Sequence, residues 1–211
     1  MRDRSTQRWD EGGGSGSGSL PDPPLSVSGP RRAGREGQER TPAVSFYGEH
    51  TLKVDGKGRV SIPAEFRRVL ESGDPAWTEG LRPRVRIVHG DPRRKFLECY
   101  TIASFQRVEA GIRALPPGTS ARLLLEQFMI TGSDTCEVDN DGRIVLNQRL
   151  RDRIALPEKG GDAIFAGTLE TFKIWMPDDY AADRDAKVAA ALAALSDGAD
   201  VLTLLPPVPG S

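Results

Sequence analysis

Short runs of alternating apolar and polar residues begin near Phe46 and define the strands of this chain. Arg59-Val60-Ser61-Ile62 and Arg143-Ile144-Val145-Leu146 alternate as half-buried strands do. Val54 and Val138 end the strands before them. Val85-Arg86-Ile87-Val88, Phe96-Leu97-Glu98-Cys99-Tyr100, Ala163-Ile164-Phe165-Ala166 and Phe172-Lys173-Ile174-Trp175-Met176 read as further strands. Helical spacing appears between them. Phe66, Val69 and Leu70 form one apolar face, with Pro63 predicted at the first helical position. Leu150 and Ile154 form a matching face behind Asn147, which can cap. A helix is predicted after each later strand pair. Tyr100 then Phe105 echoes Trp175 then Tyr180. These aromatics read as anchors of helix on sheet, with base stacking as the other use. Pro116-Pro117-Gly118 breaks the chain before a helix predicted over Ser120–Ile130. A last, Ala-rich helix is predicted over Pro177–Ser196. The class is mostly β with short helices (α+β).

An internal repeat organises this pattern. Val54-Asp55-Gly56-Lys57-Gly58-Arg59-Val60-Ser61-Ile62 matches Val138-Asp139-Asn140-Asp141-Gly142-Arg143-Ile144-Val145-Leu146 at an offset of 84 residues. Phe66 then aligns with Leu150, Arg67 with Arg151 and Leu70 with Ile154. A repeat of this length is a duplicated small domain. In each copy Asp-x-x-Gly is turn chemistry: Asp accepts from nearby backbone N–H groups and Gly supplies positive φ. One copy is small for a stable core, so the copies are expected to be intertwined.

Composition changes the picture at the ends. The chain has 211 residues, 37% hydrophobic and 28% charged, with a formal net charge of -1. Residues 1–40 hold 8 Gly, 4 Pro and 6 Ser, too little apolar surface to offset ordering entropy. The expected organisation is a disordered extension over 1–44, a first repeat over 45–115, a second repeat with linking and C-terminal helices over 116–196, and a disordered tail over 197–211. Arg31, Arg32, Arg35 and Arg40 give the extension a second reading as a basic arm. Residues 41–115 carry 13 Lys and Arg against 9 Asp and Glu, whereas 177–211 carry 2 against 6. The neutral average therefore hides a basic first half, compatible with a nucleic-acid partner. Its densest part is Arg82, Arg84, Arg86, Arg93, Arg94 and Lys95, read as phosphate contacts or as the solvated face and loop of a strand pair.

Catalytic chemistry finds little material. His50 and His89 have no paired nucleophile motif, and no phosphate-binding G-x-x-x-x-G-K-[ST] loop occurs. Cys99 and Cys136 are too few for a disulfide framework or a Cys-based zinc site. Asp139, Asn140 and Asp141 lack the spacing and closing Glu of a calcium loop. No enzyme activity, metal or cofactor is expected. No apolar run reaches membrane-spanning length, and no signal peptide is read at the N-terminus.

The run from Phe46-Tyr47-Gly48 through Leu52-Lys53-Val54-Asp55-Gly56-Lys57-Gly58-Arg59-Val60-Ser61-Ile62-Pro63 to Phe66-Arg67 resembles the opening of MraZ proteins. Asp139 to Arg143 and Phe172-Lys173-Ile174-Trp175 resemble that family's second copy. The resemblance covers roughly 46–196 and implies two AbrB-like swapped-hairpin β-barrel repeats forming a pseudo-dimer. It further implies a cytoplasmic, nucleoid-associated ring-shaped homo-oligomer. Such a ring binds repeated sites on double-stranded promoter DNA upstream of the division and cell wall gene cluster, its own gene included, mainly as a repressor. An AbrB-fold antitoxin and a protein-binding ring adaptor are the competing classes.

Lys57, Arg59, Arg67 and Arg143 are the candidate DNA-binding residues. Asp55, Gly58, Asp139 and Gly142 are the candidate structural residues of the two loops. Lys57 suits phosphate, and Arg59 suits a bidentate contact to guanine. Arg59 and Arg143 have a second reading as ion-pair partners of Asp55 and Asp139. The copies depart from each other at Asp141, which stands opposite Lys57, and at Asn147, opposite Pro63. On electrostatics the first copy should bind DNA and the second should mainly support assembly.

Overall fold

The computed structural model describes residues 45–195 and 199–206. The readings placed on 1–44, 196–198 and 207–211 lie outside the described residues. The fold is α+β and mostly β. Its first half contains β1 (Glu49–Asp55), β2 (Arg59–Ser61), α1 (Ala64–Ser72), β3 (Arg84–Val88), β4 (Phe96–Thr101) and α2 (Ile102–Ala114). Then follow α3 (Ser120–Leu125), β5 (Ser133–Glu137), β6 (Arg143–Val145), α4 (Gln148–Arg153), β7 (Gly160–Gly167), β8 (Thr171–Trp175) and α5 (Pro177–Ala193).

Strand pairing interleaves the two halves. Six strands form one antiparallel sheet in the order β1-β7-β8-β4-β3-β5, and β2 pairs with β6 as a separate two-stranded ribbon. Among the described residues, only the β3–β4 and β7–β8 hairpins stay within one half. The pairs β1–β7, β3–β5, β4–β8 and β2–β6 all join a strand before Pro116 to one after it. The pattern has two-fold character: β1–β7 maps onto β5–β3, while β2–β6 and β4–β8 map onto themselves. Glu98 faces Lys173 across the β4–β8 pair, a cross-strand match of opposite charges.

The larger of two buried clusters among the described residues serves both halves. Phe66, Val69 and Leu70 of α1 are buried with Leu150 and Ile154 in and just after α4, the faces the repeat predicts. Phe46, Phe66 and Phe172 meet with ring centroids 5.0–5.2 Å apart, drawing the first strand region, α1 and β8 together. Asn147 caps α4 by accepting from the Leu150 N–H at 3.0 Å. Pro63 lies one position earlier than predicted. It is the extended residue before α1 (ψ 142°), and the helix opens at Ala64. The helix predicted over Ser120–Ile130 is α3 only to Leu125; Glu126–Thr131 then widen into a π-helical turn that leads into β5.

Side-chain pairing decides the two aromatic-helix motifs and the basic stretch. Tyr100 meets Phe105 at 5.6 Å, and Trp175 meets Tyr180 at 6.0 Å, so both pairs fasten a helix onto the sheet. The basic stretch lies on the β3–β4 pair and its loop as a solvated face, with Arg93 and Lys95 80% and 73% exposed, and most of its charges are matched by neighbouring groups. The Arg86 guanidinium lies over the Phe105 ring at 5.0 Å. Arg93 and Arg94 share Asp91, Arg94 also reaches Glu98, and Lys95 donates to Asp179 of α5 at 2.7 Å.

Arg84 donates from Nε and Nη2 to Asp74, a carboxylate only 1% exposed. These bonds hold the Asp74 carboxyl below its ordinary value of 3.8. The folded value lies below the unfolded one, so this stabilisation is full above about pH 4 and is lost as pH falls through the folded value. Asp74→Asn is expected to cost about 2 kcal/mol, because Arg84 is partly solvated and keeps some compensation. Thermal melting at pH 7 and near pH 3 checks this: the variant should melt lower at pH 7 and differ less in acid.

Candidate nucleic-acid interface

Two turns of the same construction flank the β2–β6 ribbon. In the first, Asp55 Oδ1 accepts from the Lys57 and Arg59 N–H groups, both at 2.9 Å, and Gly58 N–H donates to the Asp55 carbonyl at 2.9 Å. In the second, Asp139 Oδ1 accepts from Asp141 at 2.9 Å and Arg143 at 2.8 Å, with Gly142 N–H on the Asp139 carbonyl. The glycine closes each turn in the left-handed region, φ +81° at Gly58 and +76° at Gly142. Each loop is tied to the other half: Leu146 N–H donates to the Gly58 carbonyl and Ile62 N–H to the Gly142 carbonyl, both at 2.8 Å.

Arginines from the two short helices lie against these turns crosswise. Arg151 of α4 donates to the Gly56 carbonyl of the first loop at 3.0 Å and packs its side chain beside Gly58. Arg67 of α1 lies against Gly142 of the second loop, half-buried. The structure therefore places Arg67 beside the second loop, away from Lys57. Arg151 carries no candidate role in the sequence reading. Its signal was the alignment of Arg67 with Arg151, whose meaning depends on a strand exchange that no single copy displays.

The loops differ in free charge. Arg59 Nε donates to Asp55 Oδ2 at 2.7 Å, and the Arg59 backbone and side chain together hold the Asp55 carboxyl below its ordinary value. Lys57 is exposed and makes no ion pair among the described residues. Arg143 is held twice, by Asp139 at 3.4 Å and by Asp141 in a close ion pair. Asn140 of this loop also accepts from Arg82 at 3.3 Å. The second loop thus satisfies its own charges, and the first presents one spare cation.

Between the loops lies a solvent-facing surface. In β2 and β6 the central Val60 and Ile144 point into the core, while Arg59, Ser61, Arg143 and Val145 point outward. Arg59 stands opposite Val145, and Ser61 opposite Arg143. The two guanidinium-bearing positions are separated by roughly 7 Å along the strands, about two base-pair steps. A two-stranded ribbon fits the DNA major groove, which is about 12 Å wide. Among the described residues no helix is long and apolar enough to cross a membrane, and no cluster of three His, Cys, Asp or Glu could hold a metal.

Comparison with known proteins places the chain in a family. The model of the family described as "MraZ protein, putative antitoxin-like" matches residues 129–192. A protein of Cereibacter sphaeroides named "Transcriptional regulator MraZ" is 48% identical over 167 residues, which cover 77% of this chain and 96% of that protein. One of the same name from Ruegeria pomeroyi is 50% identical over 138 residues, 65% of this chain and 81% of that protein. A more distant relative of that name, from Roseiflexus castenholzii, is 31% identical over 132 residues, 63% of this chain and 81% of its own length. With a relative this similar matched over nearly its whole length, the chain belongs to the MraZ family.

Proposed function

We propose that this transcriptional regulator binds double-stranded DNA in a sequence-specific way through the outer face of the β2–β6 ribbon and its flanking loops. The carrying observation is the contrast between Lys57, exposed and without an ion pair among the described residues, and Asp141, its counterpart, which neutralises Arg143. Lys57 contacts phosphate. Arg59, half-exposed and held by a single carboxylate, reads a base edge. Arg143 serves first as the internal pin of the second loop. Arg67 supports that loop from α1, as Arg151 supports the first from α4. The role is regulatory, not enzymatic.

The halves 45–115 and 116–196 act as duplicated AbrB-like units, and each chain supplies one DNA-reading loop. Several chains in a homo-oligomeric ring present several such loops to tandem repeats upstream of the division and cell wall genes, including the protein's own gene, mainly in repression. Avidity then replaces single-site affinity. A gel-shift scan of the DNA upstream of its own gene, at two salt concentrations, tests this reading. Binding should weaken steeply with salt. Cutting a bound array from several repeats to one should weaken it far more than in proportion. Equal binding to one repeat and to the array would refute the ring reading, and absence of salt-sensitive binding would favour a protein-binding adaptor.

A further inference from the structure

We propose that Val145 forms an apolar subsite for the C5-methyl group of thymine on the outer face of the ribbon. This rests on the ribbon's being the DNA-binding surface. Val145 is 53% exposed although it lies in a strand whose neighbour Ile144 is fully buried. The repeat shows that the strand does not require an apolar residue there. At the offset of 84 residues, the counterpart of Val145 is Ser61, equally outward-facing in the paired strand. The same backbone position thus carries a hydroxyl in one half and two methyl groups in the other. Because valine is β-branched, its χ1 is restricted and the methyl groups are held in a fixed direction.

The register gives Val145 a partner. It stands directly opposite Arg59, so their Cβ atoms lie about 5 Å apart across the ribbon, side by side on its outer face. In the major groove only thymine displays a methyl group, while guanine offers O6 and N7 to arginine. The pair Arg59 and Val145 therefore presents two complementary groups side by side, a guanidinium for guanine and an isopropyl group for thymine. Ser61 stands opposite Arg143, whose guanidinium is engaged by two carboxylates, so the other end of the ribbon lacks this pairing.

The test uses the upstream fragment of the protein's own gene, prepared once with thymidine and once with deoxyuridine in its place. This removes the methyl groups and leaves the base pairing unchanged. Wild-type protein should bind the thymine fragment at least about fourfold more tightly, the effect expected for burying one methyl group. In Val145→Ala the ratio between the two fragments should fall towards one. Thermal melting confirms that the variant is folded. A wild-type ratio of one, or a ratio unchanged in the variant, overturns the subsite while leaving DNA binding in place. Loss of salt-sensitive binding to both fragments by the wild-type protein instead overturns the DNA reading itself, and the subsite with it.

Discussion

Gly58→Ala is expected to destabilise the protein by about 2–5 kcal/mol, whereas Gly142→Ala is expected to cost about 1–2 kcal/mol. Both glycines occupy the left-handed region, so both variants carry the backbone penalty for an L side chain. The difference comes from what the new methyl group meets. At Gly58 it would point into the backbone carbonyl of Leu146, the residue whose N–H donates to the Gly58 carbonyl. Neither atom can move without opening the contact between the halves. At Gly142 it would meet the guanidinium end of Arg67, a flexible side chain that can swing away. Thermal melting of the two variants checks this. For a chain of this size each kcal/mol lowers the midpoint by about 2–4 °C. Equal losses would mean that the Leu146 carbonyl yields as readily as the Arg67 side chain.

Arg59→Ala should weaken binding to the upstream DNA by about tenfold or more, the scale of about 1–3 kcal/mol for a bidentate contact to guanine. Arg143→Ala should cost much less, because that guanidinium already faces Asp139 and Asp141. The reverse change is equally informative. Asp141→Lys would give the second loop the cation of the first and free Arg143 from one carboxylate. Its binding should be tighter at low salt, with a salt slope steeper by about 0.9 for each additional phosphate neutralised. Titrations of the three variants at several salt concentrations measure both quantities. Equal losses for Arg59→Ala and Arg143→Ala would remove the division of labour between the loops.

Much of this architecture is legible in local sequence, because its determinants are local. Alternation around Val60 and Ile144, the helical faces at Phe66 and Leu150, the Asn147 cap and the two Asp-Gly turns each depend on residues within one or two turns of chain. The two aromatic pairs at a spacing of five were also readable. The partners of the basic stretch were not. Arg84 and Lys95 find Asp74 and Asp179, partners 10 and 84 residues away, and only the folded sheet brings them together. Pro63 fell one position short because proline tolerates both the first helical residue and the extended residue before it. In the candidate site, the residue types of Lys57, Arg59 and Arg143 were visible, but their availability was not. That depends on whether Asp141 turns towards Arg143, and on Arg67 and Arg151 crossing to the opposite loop.

The strand exchange has a consequence for how such a protein can change. In a pair of identical subunits, any substitution in a loop appears in both copies, so the two faces stay alike. Here β2 and β6 meet as such a pair would, yet they belong to one continuous chain. Joining the halves ends their obligation to match. Lys57 and Ser61 can drift from Asp141 and Val145 while the glycines, the aspartates and the crossed arginines that hold the shared frame remain. The duplicated chain thus keeps the architecture of a symmetric dimer, while the outer face of its ribbon gains a defined left and right.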